Sequence, residues 1–415
     1  MTHPQSHDVG NESVQSGNVR EGTVREVVVL SAVRTAIGKY GGGLKDVPPA
    51  DLAAQVVREA VKRSGVAPAE VGHSVFGQVI HTERRDMYLG RVAAVNGGLP
   101  VETPALTVNR LCGSGLQAII SAAQTIALGQ TDVAVAGGAE SMSRAQYWMP
   151  GLRWGQRMGD GHALDVMTEA LTDPFEDCHM GLTAENIAGK WSISREDQDG
   201  LAVQSHHRAA AAAAEGRFKD QILTIEIKGR KGSTFVSADE HIRPDVTVAD
   251  LAKLRPAFSK DGTVTAGNAS GVNDAAAAVI LAERGYAEAR GLTPLGRLVG
   301  YSHVGVEPRY MGIGPVPAVH KVLASTGLTL DDIDVFEVNE AFAAQALAVA
   351  RDLGLPNDKT NPNGSGVGMG HPIGATGAIL TVKALYELAR IDGHYALVTM
   401  CIGGGQGIAA IFERV

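Results

Sequence analysis

The chain has 415 residues, 44% of them hydrophobic, which is enough for two or three domains around a large apolar core. Its net charge of −8 argues against a nucleic-acid-binding protein, which needs a broad basic face, although a local basic cluster could still hold an anionic ligand. Three cysteines are too few for a disulfide framework, so we expect a reducing, cytoplasmic compartment.

The predicted elements begin after a polar N-terminal stretch. Residues 1–23 are mixed in charge and contain no apolar segment, so they predict a disordered tail rather than a secretory signal. No apolar run in the chain approaches the ~20 residues that a membrane-spanning helix needs. The patterns of the first third predict alternating elements: a strand over 24–30, a helix over 50–63, a strand over 74–80, a helix starting at Cys112 and a strand over 132–137.

The last third of the chain repeats this alternation. Its patterns predict helices over 317–325 and 373–388 and strands over 333–338, 395–400 and 407–412. One stretch matches almost literally, because a helix ending at Gly65 precedes a strand through Phe76, as a helix ending at Gly327 precedes a strand through Phe336. We therefore expect a duplicated βα core, in which each half forms a sheet with crossover helices and the halves pack through helices.

The sequence changes character between residues 142 and 272. This stretch contains all three tryptophans, an alanine-rich segment over 208–215 that predicts a helix, and the basic turn 228–231. That turn is either a solvated hairpin tip or a phosphate contact, and we favour the hairpin tip. We expect an inserted loop domain that folds over the core. The predicted organisation is a tail over 1–23, an N-terminal half over 24–141 rejoined by about 273–293, the insertion over 142–272 and a C-terminal half over 294–415.

The insertion also carries an apolar cluster in a polar-flanked loop. Side chains of this kind predict burial against another subunit, and hence a homo-oligomer, either a dimer or a tetramer. The cluster consists of Tyr147, Trp148, Met149, Leu152 and Trp154.

Three glycine-crowded turns, far apart in the sequence, carry two of the three cysteines and a histidine. They are 109–115 with Cys112, 370–377 with His371, and 401–405 with Cys401. A thiol at a helix N-terminus is favoured as thiolate by free N–H groups, which predicts a nucleophile at Cys112. His371 could act as its base, and the amides of 403–405 could form an anion-binding nest. The structural alternatives are a small buried turn residue for Cys112, a helix cap for His371 and a buried strand-end thiol for Cys401.

Two further segments contain polar candidates. Asn339 follows a predicted strand, where it could be a helix N-cap or a site residue. The segment 265–271 is a polar glycine turn, which is either a plain loop or a ligand contact. Cys178, in the insertion, is expected to be inert packing.

Taken together, these turns resemble the active site of thiolases, the acyl-CoA acetyltransferases, and the resemblance covers nearly the whole ordered chain. It implies αβαβα layers, with two sheets, helices between and outside them, and an inserted loop domain that binds coenzyme A. It implies that His371 deprotonates Cys112, that Cys401 removes an α-proton, and that Asn339 holds a water which, with His371, binds the thioester oxygen. The acyl oxyanion would lie on the N–H groups of Cys112 and Gly403.

The resemblance also implies a substrate site. His179 and Met180 would contact the acyl group and the pantetheine arm, Ser270 would hydrogen-bond pantetheine, and Arg243 would lie near the nucleotide. Bulky side chains in the lining would favour short acyl groups. The remaining lining residues are Leu171, Phe258, Ala266, Met311 and Phe342.

The implied function is that of an acetyl-CoA C-acetyltransferase, which condenses two acetyl-CoA reversibly to acetoacetyl-CoA and CoA through an acyl-cysteine. A thiolase for longer 3-ketoacyl-CoAs of fatty-acid or sterol breakdown is an alternative with the same chemistry. A β-ketoacyl synthase would not need Cys401, and a non-catalytic CoA-binding protein would need neither thiol. The chain shows no Walker pattern, Cys-x-x-Cys pair or His-Glu-x-x-His motif and no convincing dinucleotide fingerprint, so we expect no metal or nicotinamide cofactor. The expected partners are CoA thioesters and CoA, with no nucleic acid or membrane.

Overall fold

The structure, a computed structural model, describes residues 25–415 except Lys231. The predicted tail over 1–23, the first residue of the predicted strand over 24–30 and the last residue of the basic turn therefore lie outside the described residues. Within the described part of the chain, no helix is both long and apolar enough to cross a membrane.

The strands and helices follow one another in the following order. The strands are β1 Val27–Thr35, β2 Gly38–Lys39, β3 His73–Gly77, β4 Ala105–Val108, β5 Val133–Ser141, β6 Tyr147–Trp148, β7 Leu164–Asp165, β8 Thr172–Asp173, β9 Cys178–His179, β10 Ile222–Leu223, β11 Ile225–Gly229, β12 Gly232–Val236, β13 Asn273–Glu283, β14 Gly296–Gly305, β15 Val335–Val338, β16 Tyr395–Ile402 and β17 Gln406–Glu413. The helices are α1 Pro49–Ser64, α2 Leu89–Gly97, α3 Ser114–Ala127, α4 Val166–Ala170, α5 Met180–Lys190, α6 Arg195–Ala214, α7 Val248–Leu251, α8 Arg284–Ala289, α9 Pro315–Thr326, α10 Ala343–Leu353, α11 Gly366–Met369 and α12 Ile373–Ile391.

The long strands form one large sheet in the order β15-β16-β17-β14-β1-β13-β5-β3-β4, with β10 beside β1 and β2 beside β13. The two halves meet at β1 and β14, where Val28 pairs with Arg297 and Val29 with Gly296. The predicted sheet of each half is present, and the two are joined at this seam by these two residue pairs, while β10 pairs with the far end of β1 at Arg34 and Thr35.

Apolar side chains nevertheless fill three separate layers, which confirms the predicted αβαβα arrangement. Along β1, Val27 and Val29 face a central cluster that includes α3 and α12, whereas Val28 and Leu30 face an outer cluster with α1 and α2. A third cluster lies between the C-terminal strands and α9 and α10. Because successive side chains of a strand point to opposite faces, both faces of each half are apolar, and each is covered by helices.

The predicted internal repeat is present in the structure. Gly65 ends α1 with φ +72° and Gly327 ends α9 with φ +73°, so the same left-handed glycine cap terminates both helices. Each cap is followed by a 3₁₀ turn, Pro68–Glu70 or Leu330–Asp332, and then by β3 or β15.

Three predicted strand ends are wrong. The strand predicted over 132–137 continues to Ser141. The first strand continues to Thr35 instead of ending at residue 30. The strand predicted over 74–80 ends at Gly77, because the N–H groups of Val79 and Ile80 donate to the Glu140 carboxylate and not to a neighbouring strand.

The alanine-rich helix is much longer than predicted. It is the end of α6, which starts at Arg195. The Ser194 hydroxyl accepts from the Asp197 N–H, and the Asp197 carboxylate accepts from the Ser194 N–H, which is a capping box. The sequence contains this signal, and we overlooked it.

The insertion connects two strands that are neighbours in the sheet. β5 ends at Ser141 and β13 begins at Asn273, and these two strands pair along their length. The antiparallel pair β11–β12 brings Gly229 opposite Gly232, which confirms the predicted hairpin. The side chains of the apolar cluster defined above are exposed in the chain as described.

Candidate active site

A cavity of about 740 Å³ lies where the glycine turns meet the insertion. Cys112, His371 and Gly403 all line it, although they are far apart in the sequence. All nine residues predicted to bind substrate line the same cavity: Leu171, His179, Met180, Arg243, Phe258, Ala266, Ser270, Met311 and Phe342. Two predicted catalytic residues, Asn339 and Cys401, lie behind its wall.

Cys112 lies just before α3 and not within it, because α3 starts at Ser114. The N–H groups of Gly113 and Ser114 donate to the carbonyls of Arg110 and Leu111 at 3.0 and 2.9 Å. These amides are therefore used within the turn, and the expectation that the helix N-terminus stabilises a thiolate is corrected.

Burial determines the protonation state of Cys112. It raises the pKa of the thiol to about 11, and the charge of Glu140 acts in the same direction. The N–H groups of Gly403 and of Cys112 itself oppose this shift by donating towards the sulfur. Cys112 is consequently a neutral thiol near neutral pH, with two backbone donors directed at its Sγ.

His371 has a defined tautomer. Its Nδ1 lies 2.7 Å from Oγ1 of Thr376, whose own hydroxyl donates to the Pro372 carbonyl at 3.0 Å. The Thr376 oxygen must therefore accept from Nδ1–H, which leaves Nε2 of His371 free of a proton. Burial lowers the pKa of His371 to about 4, so the ring is a neutral base at pH 7.

The alternative that His371 merely caps the next helix is wrong. Pro372 is the N-cap of α12, and no side chain caps that helix. The main chain of His371 is held from another direction, because its N–H donates to Oδ1 of Asn273 at 3.0 Å. Gly370, with φ +108°, makes this possible, since a Cβ there would lie 2.5 Å from the Asn273 side chain.

Asn339 is directed at the histidine. The alternative that it is a helix N-cap is wrong, because α10 starts at Ala343 with Phe342 as its N-cap. The Asn339 Nδ2 lies 3.4 Å from Nε2 of His371, on the ring nitrogen that lacks a proton. Asn339 and His371 thus form one buried polar pair.

Cys401 is fully buried at the end of β16. It packs in a cluster with Met180, Met311 and Phe342, three side chains that line the cavity. Burial raises the pKa of the Cys401 thiol far above its usual value, and the proximity of Cys112 adds to the shift. Cys401 is therefore also a neutral thiol in the free protein.

An aromatic wall closes the side of the cavity formed by the insertion. His179 is the N-cap of α5, where its Nδ1 accepts from the Gly181 N–H at 3.0 Å. Its ring stacks on Phe258 at a centroid distance of 4.8 Å, and Phe258 meets Phe342 edge to face at 6.1 Å. These contacts fix a rigid apolar surface on which a flexible ligand can lie.

Sequence reasoning missed the residues that orient His371. Thr376 is five residues further along the same glycine motif, and a search for a hydroxyl in the first turn of the following helix would have found it. Asn273 is 98 residues away and has no local signal.

Glu140 was also missed. Its buried carboxylate accepts from the N–H groups of Val79 and Ile80, both at 3.1 Å, and of Gly374 at 2.8 Å. It thereby ties the loop after β3 to the first turn of α12. Burial raises its pKa to about 8. Other lining residues that we did not predict are Lys39, Tyr40, Met142, Met167, Ala170, Glu240, His241, Ile242, Ala257, Val272 and Ile373.

Comparisons with known proteins give a consistent result. The family model for the thiolase N-terminal domain matches residues 27–285, and that for the thiolase C-terminal domain matches residues 292–414. The beta-ketothiolase BktB of Cupriavidus necator is 66% identical over 392 residues, which are 94% of this chain and 100% of that protein.

Solved structures show the same likeness. The crystal structure of the Bacillus anthracis acetyl-CoA acetyltransferase superposes with a TM-score of 0.93 at 47% identity, covering 94% of this chain and 99% of that one. Human mitochondrial 3-ketoacyl-CoA thiolase in complex with CoA gives a TM-score of 0.92 at 45% identity, covering 94% and 98%.

Proposed function

This chain belongs to the thiolase family of acyltransferases, and we propose that it interconverts two acetyl-CoA molecules with acetoacetyl-CoA and CoA through an acetyl group carried on Cys112. The observation that carries the proposal is the position of Cys112 in one cavity with the unprotonated Nε2 of His371 and the N–H of Gly403. The alternative that the chain is a β-ketoacyl synthase is excluded, because both family models that match it are those of thiolases. The reaction needs no cofactor beyond the CoA thioesters themselves.

The first half-reaction is acylation. Nε2 of His371 takes the Cys112 proton as Sγ attacks the thioester carbonyl of acetyl-CoA. The N–H groups of Cys112 and Gly403, which are directed at Sγ, would donate to the oxyanion of the tetrahedral intermediate. Because burial disfavours a thiolate at Cys112, the proton passes to His371 as Sγ attacks, and no free thiolate accumulates at this position.

The CoA leaving group determines the protonation state of Cys401. Cys401 is a neutral thiol at rest, so it must lose a proton before it can act as a base. The departing CoA thiolate takes that proton, which yields CoA and a Cys401 thiolate, while His371 keeps the proton from Cys112. Both charges of the resulting pair lie inside the protein, and the electrostatic attraction between them favours this state.

The second half-reaction is condensation. The Cys401 thiolate removes an α-proton from a second acetyl-CoA, and protonated His371 with a water held by Asn339 stabilises the enolate. The enolate carbon attacks the acetyl group and expels Cys112, which recovers its proton from His371. Both thiols and the imidazole return to their starting states, so the proton balance closes.

The side chains that line the substrate cavity limit the length of the acyl chain. Relatives of both the acetyl-CoA and the 3-ketoacyl-CoA type match the chain about equally well, so the match itself does not separate them. Leu171, Met180, Met311 and Phe342 are bulky and line the same cavity as Cys112. A pocket of this kind discriminates by about 10–200-fold per methylene. We therefore propose acetoacetyl-CoA as the preferred thiolysis substrate.

Thiolysis of a series of 3-ketoacyl-CoAs with free CoA tests the function and the chain length together. We expect the highest kcat/KM for acetoacetyl-CoA, and we expect Met311→Ala to shift the preference towards longer chains. Met158→Ala, at an exposed methionine, is the matched control and should leave the ranking unchanged. A higher kcat/KM for a C10 or C16 substrate in the wild type would favour the degradative alternative.

The proposed state of the protein is a cytoplasmic homo-oligomer. A cytoplasmic location fits the chemistry, because both thiols must stay reduced. The exposed side chains of the apolar cluster, among them Trp148 and Trp154, support burial against a second copy. A monomeric mass by light scattering at micromolar concentration would contradict this.

A further inference from the structure

A buried ion pair lies beneath the site and has no part in the proposed mechanism. Nζ of Lys383 lies 2.7 Å from Oε2 of Glu337, and the two side chains are 1% and 0% exposed. Removing two charges from water is expensive, and apolar residues of similar size are often as stable. The position of the Glu337–Lys383 pair in the fold suggests a role other than stability.

Lys383 and Thr376 hold the two ends of one loop. They are seven residues apart on α12 and therefore lie on the same face of that helix. Lys383 also donates to the carbonyl of Gly364, at the start of the loop over 364–371, at 2.5 Å. Thr376 accepts from Nδ1 of His371 at the other end of the loop.

Glu337 connects Lys383 to the segment that carries Asn339, the partner of His371. It lies on β15, two residues before Asn339, and so on the same face of the chain. Asn339, Thr376 and Lys383 line one small interior space. The ion pair therefore joins the backbone segments that carry Asn339 and His371.

We propose that Glu337 and Lys383 are positioning residues that fix the spacing between the Asn339 amide and the His371 imidazole. This inference rests on the proposed thiolase reaction. Neither residue lines the substrate cavity, so loss of the pair should lower kcat and leave KM for acetoacetyl-CoA within about twofold.

The charged groups around the ion pair determine the environment of the residue that remains when its partner is replaced. Burial raises the pKa of Glu337 to about 7; Lys383 opposes this shift, and the charges of Glu387 and Glu340 add to it. Glu387 is paired with Arg390, accepts from Asn363 and lies near Arg217. Glu340 accepts from Ser205, Asn361 and the N–H of Val367.

The single substitutions should therefore differ in pH dependence. In Lys383→Met, Glu337 remains buried without a cation and is tolerated only when protonated, so kcat relative to wild type should fall as pH rises from 6 to 9, by up to ~10-fold per pH unit. In Glu337→Gln, Lys383 keeps its hydrogen bond to the Gly364 carbonyl but loses its carboxylate partner, so kcat should be below that of wild type without this decline.

The double variant Glu337→Gln/Lys383→Met has neither charge. It should fold, show no pH dependence relative to wild type, and have a kcat lower by ~10-fold or more, because the spacing is no longer fixed. Lys62→Met, at a lysine whose side chain is 78% exposed and which is paired with Glu59, is the control and should match wild type at every pH.

The experiment is steady-state thiolysis of acetoacetyl-CoA by all five proteins between pH 6 and 9, with thermal unfolding measured in parallel. A loss of kcat in Lys383→Met that is flat with pH, or a double variant with wild-type kcat, would overturn the positioning role. If a single variant does not fold, the other single and the double decide. An inactive wild type would instead refute the proposed function, and the inference with it.

Discussion

Thr376 is the residue on which the tautomer of His371 depends, and its replacement by valine isolates that role. The substitution keeps the shape of the side chain and removes the oxygen that accepts from Nδ1–H at 2.7 Å. Thr376 does not line the substrate cavity, so it makes no contact there that valine would remove.

The expected loss of kcat in Thr376→Val follows from the burial of His371. Without the hydroxyl, a proton on Nδ1 of His371 has no partner in a fully buried position, which costs about 1–3 kcal/mol. The ring escapes this cost by moving its proton to Nε2, and then it cannot accept the Cys112 proton. At 1.4 kcal/mol per tenfold change, kcat should fall by roughly 5- to 150-fold, with KM little changed.

Thr381→Val is a closely matched control. Both threonines are buried on α12, and both donate to the carbonyl four residues earlier, Thr376 to Pro372 at 3.0 Å and Thr381 to Gly377 at 2.9 Å. We expect similar losses of thermal stability in the two variants and a large loss of kcat in Thr376→Val alone. If the two kcat values agree within twofold in acetoacetyl-CoA thiolysis, the tautomer argument is refuted.

Three further expectations concern the thiols. Cys112→Ala should abolish both directions, and mass spectrometry after incubation of the native protein with acetyl-CoA should find the acetyl adduct on Cys112; an adduct found only elsewhere would exclude it as the nucleophile. Cys401→Ala should retain a burst of CoA release from acetyl-CoA while condensation falls by ~10²–10⁴ or more, and near-normal condensation would mean that Cys401 only packs. Since burial raises the pKa of Cys112 to about 11, its alkylation by iodoacetamide in the free enzyme should accelerate about tenfold per pH unit between pH 7 and 10; a plateau near pH 7 would show a stabilised thiolate instead.

Much of the fold was predictable because its signals are local. Alternating apolar patterns and glycine caps such as Gly65 and Gly327 located the helices and strands of both halves, and the repeated spacing revealed the duplication. The errors have two different causes, one local and one long-range. We overlooked the capping box at Ser194, and the strand at Gly77 ends because a distant carboxylate takes the next amides.

The sequence by itself determined which residues can do chemistry here, since a thiol or an imidazole among glycines is recognisable wherever the chain places it. It also determined the elements on which these residues lie. Only the tertiary structure decided their protonation states, because burial depends on every neighbour: both thiols have raised pKa values, and the helix N-terminus does not produce the thiolate that local reasoning predicted. It also decided the orientation of His371, which depends on Asn273 and Asn339 from other parts of the chain. Long-range contacts of this kind leave no periodicity or motif in the sequence, because they exist only once distant segments of the chain have packed together.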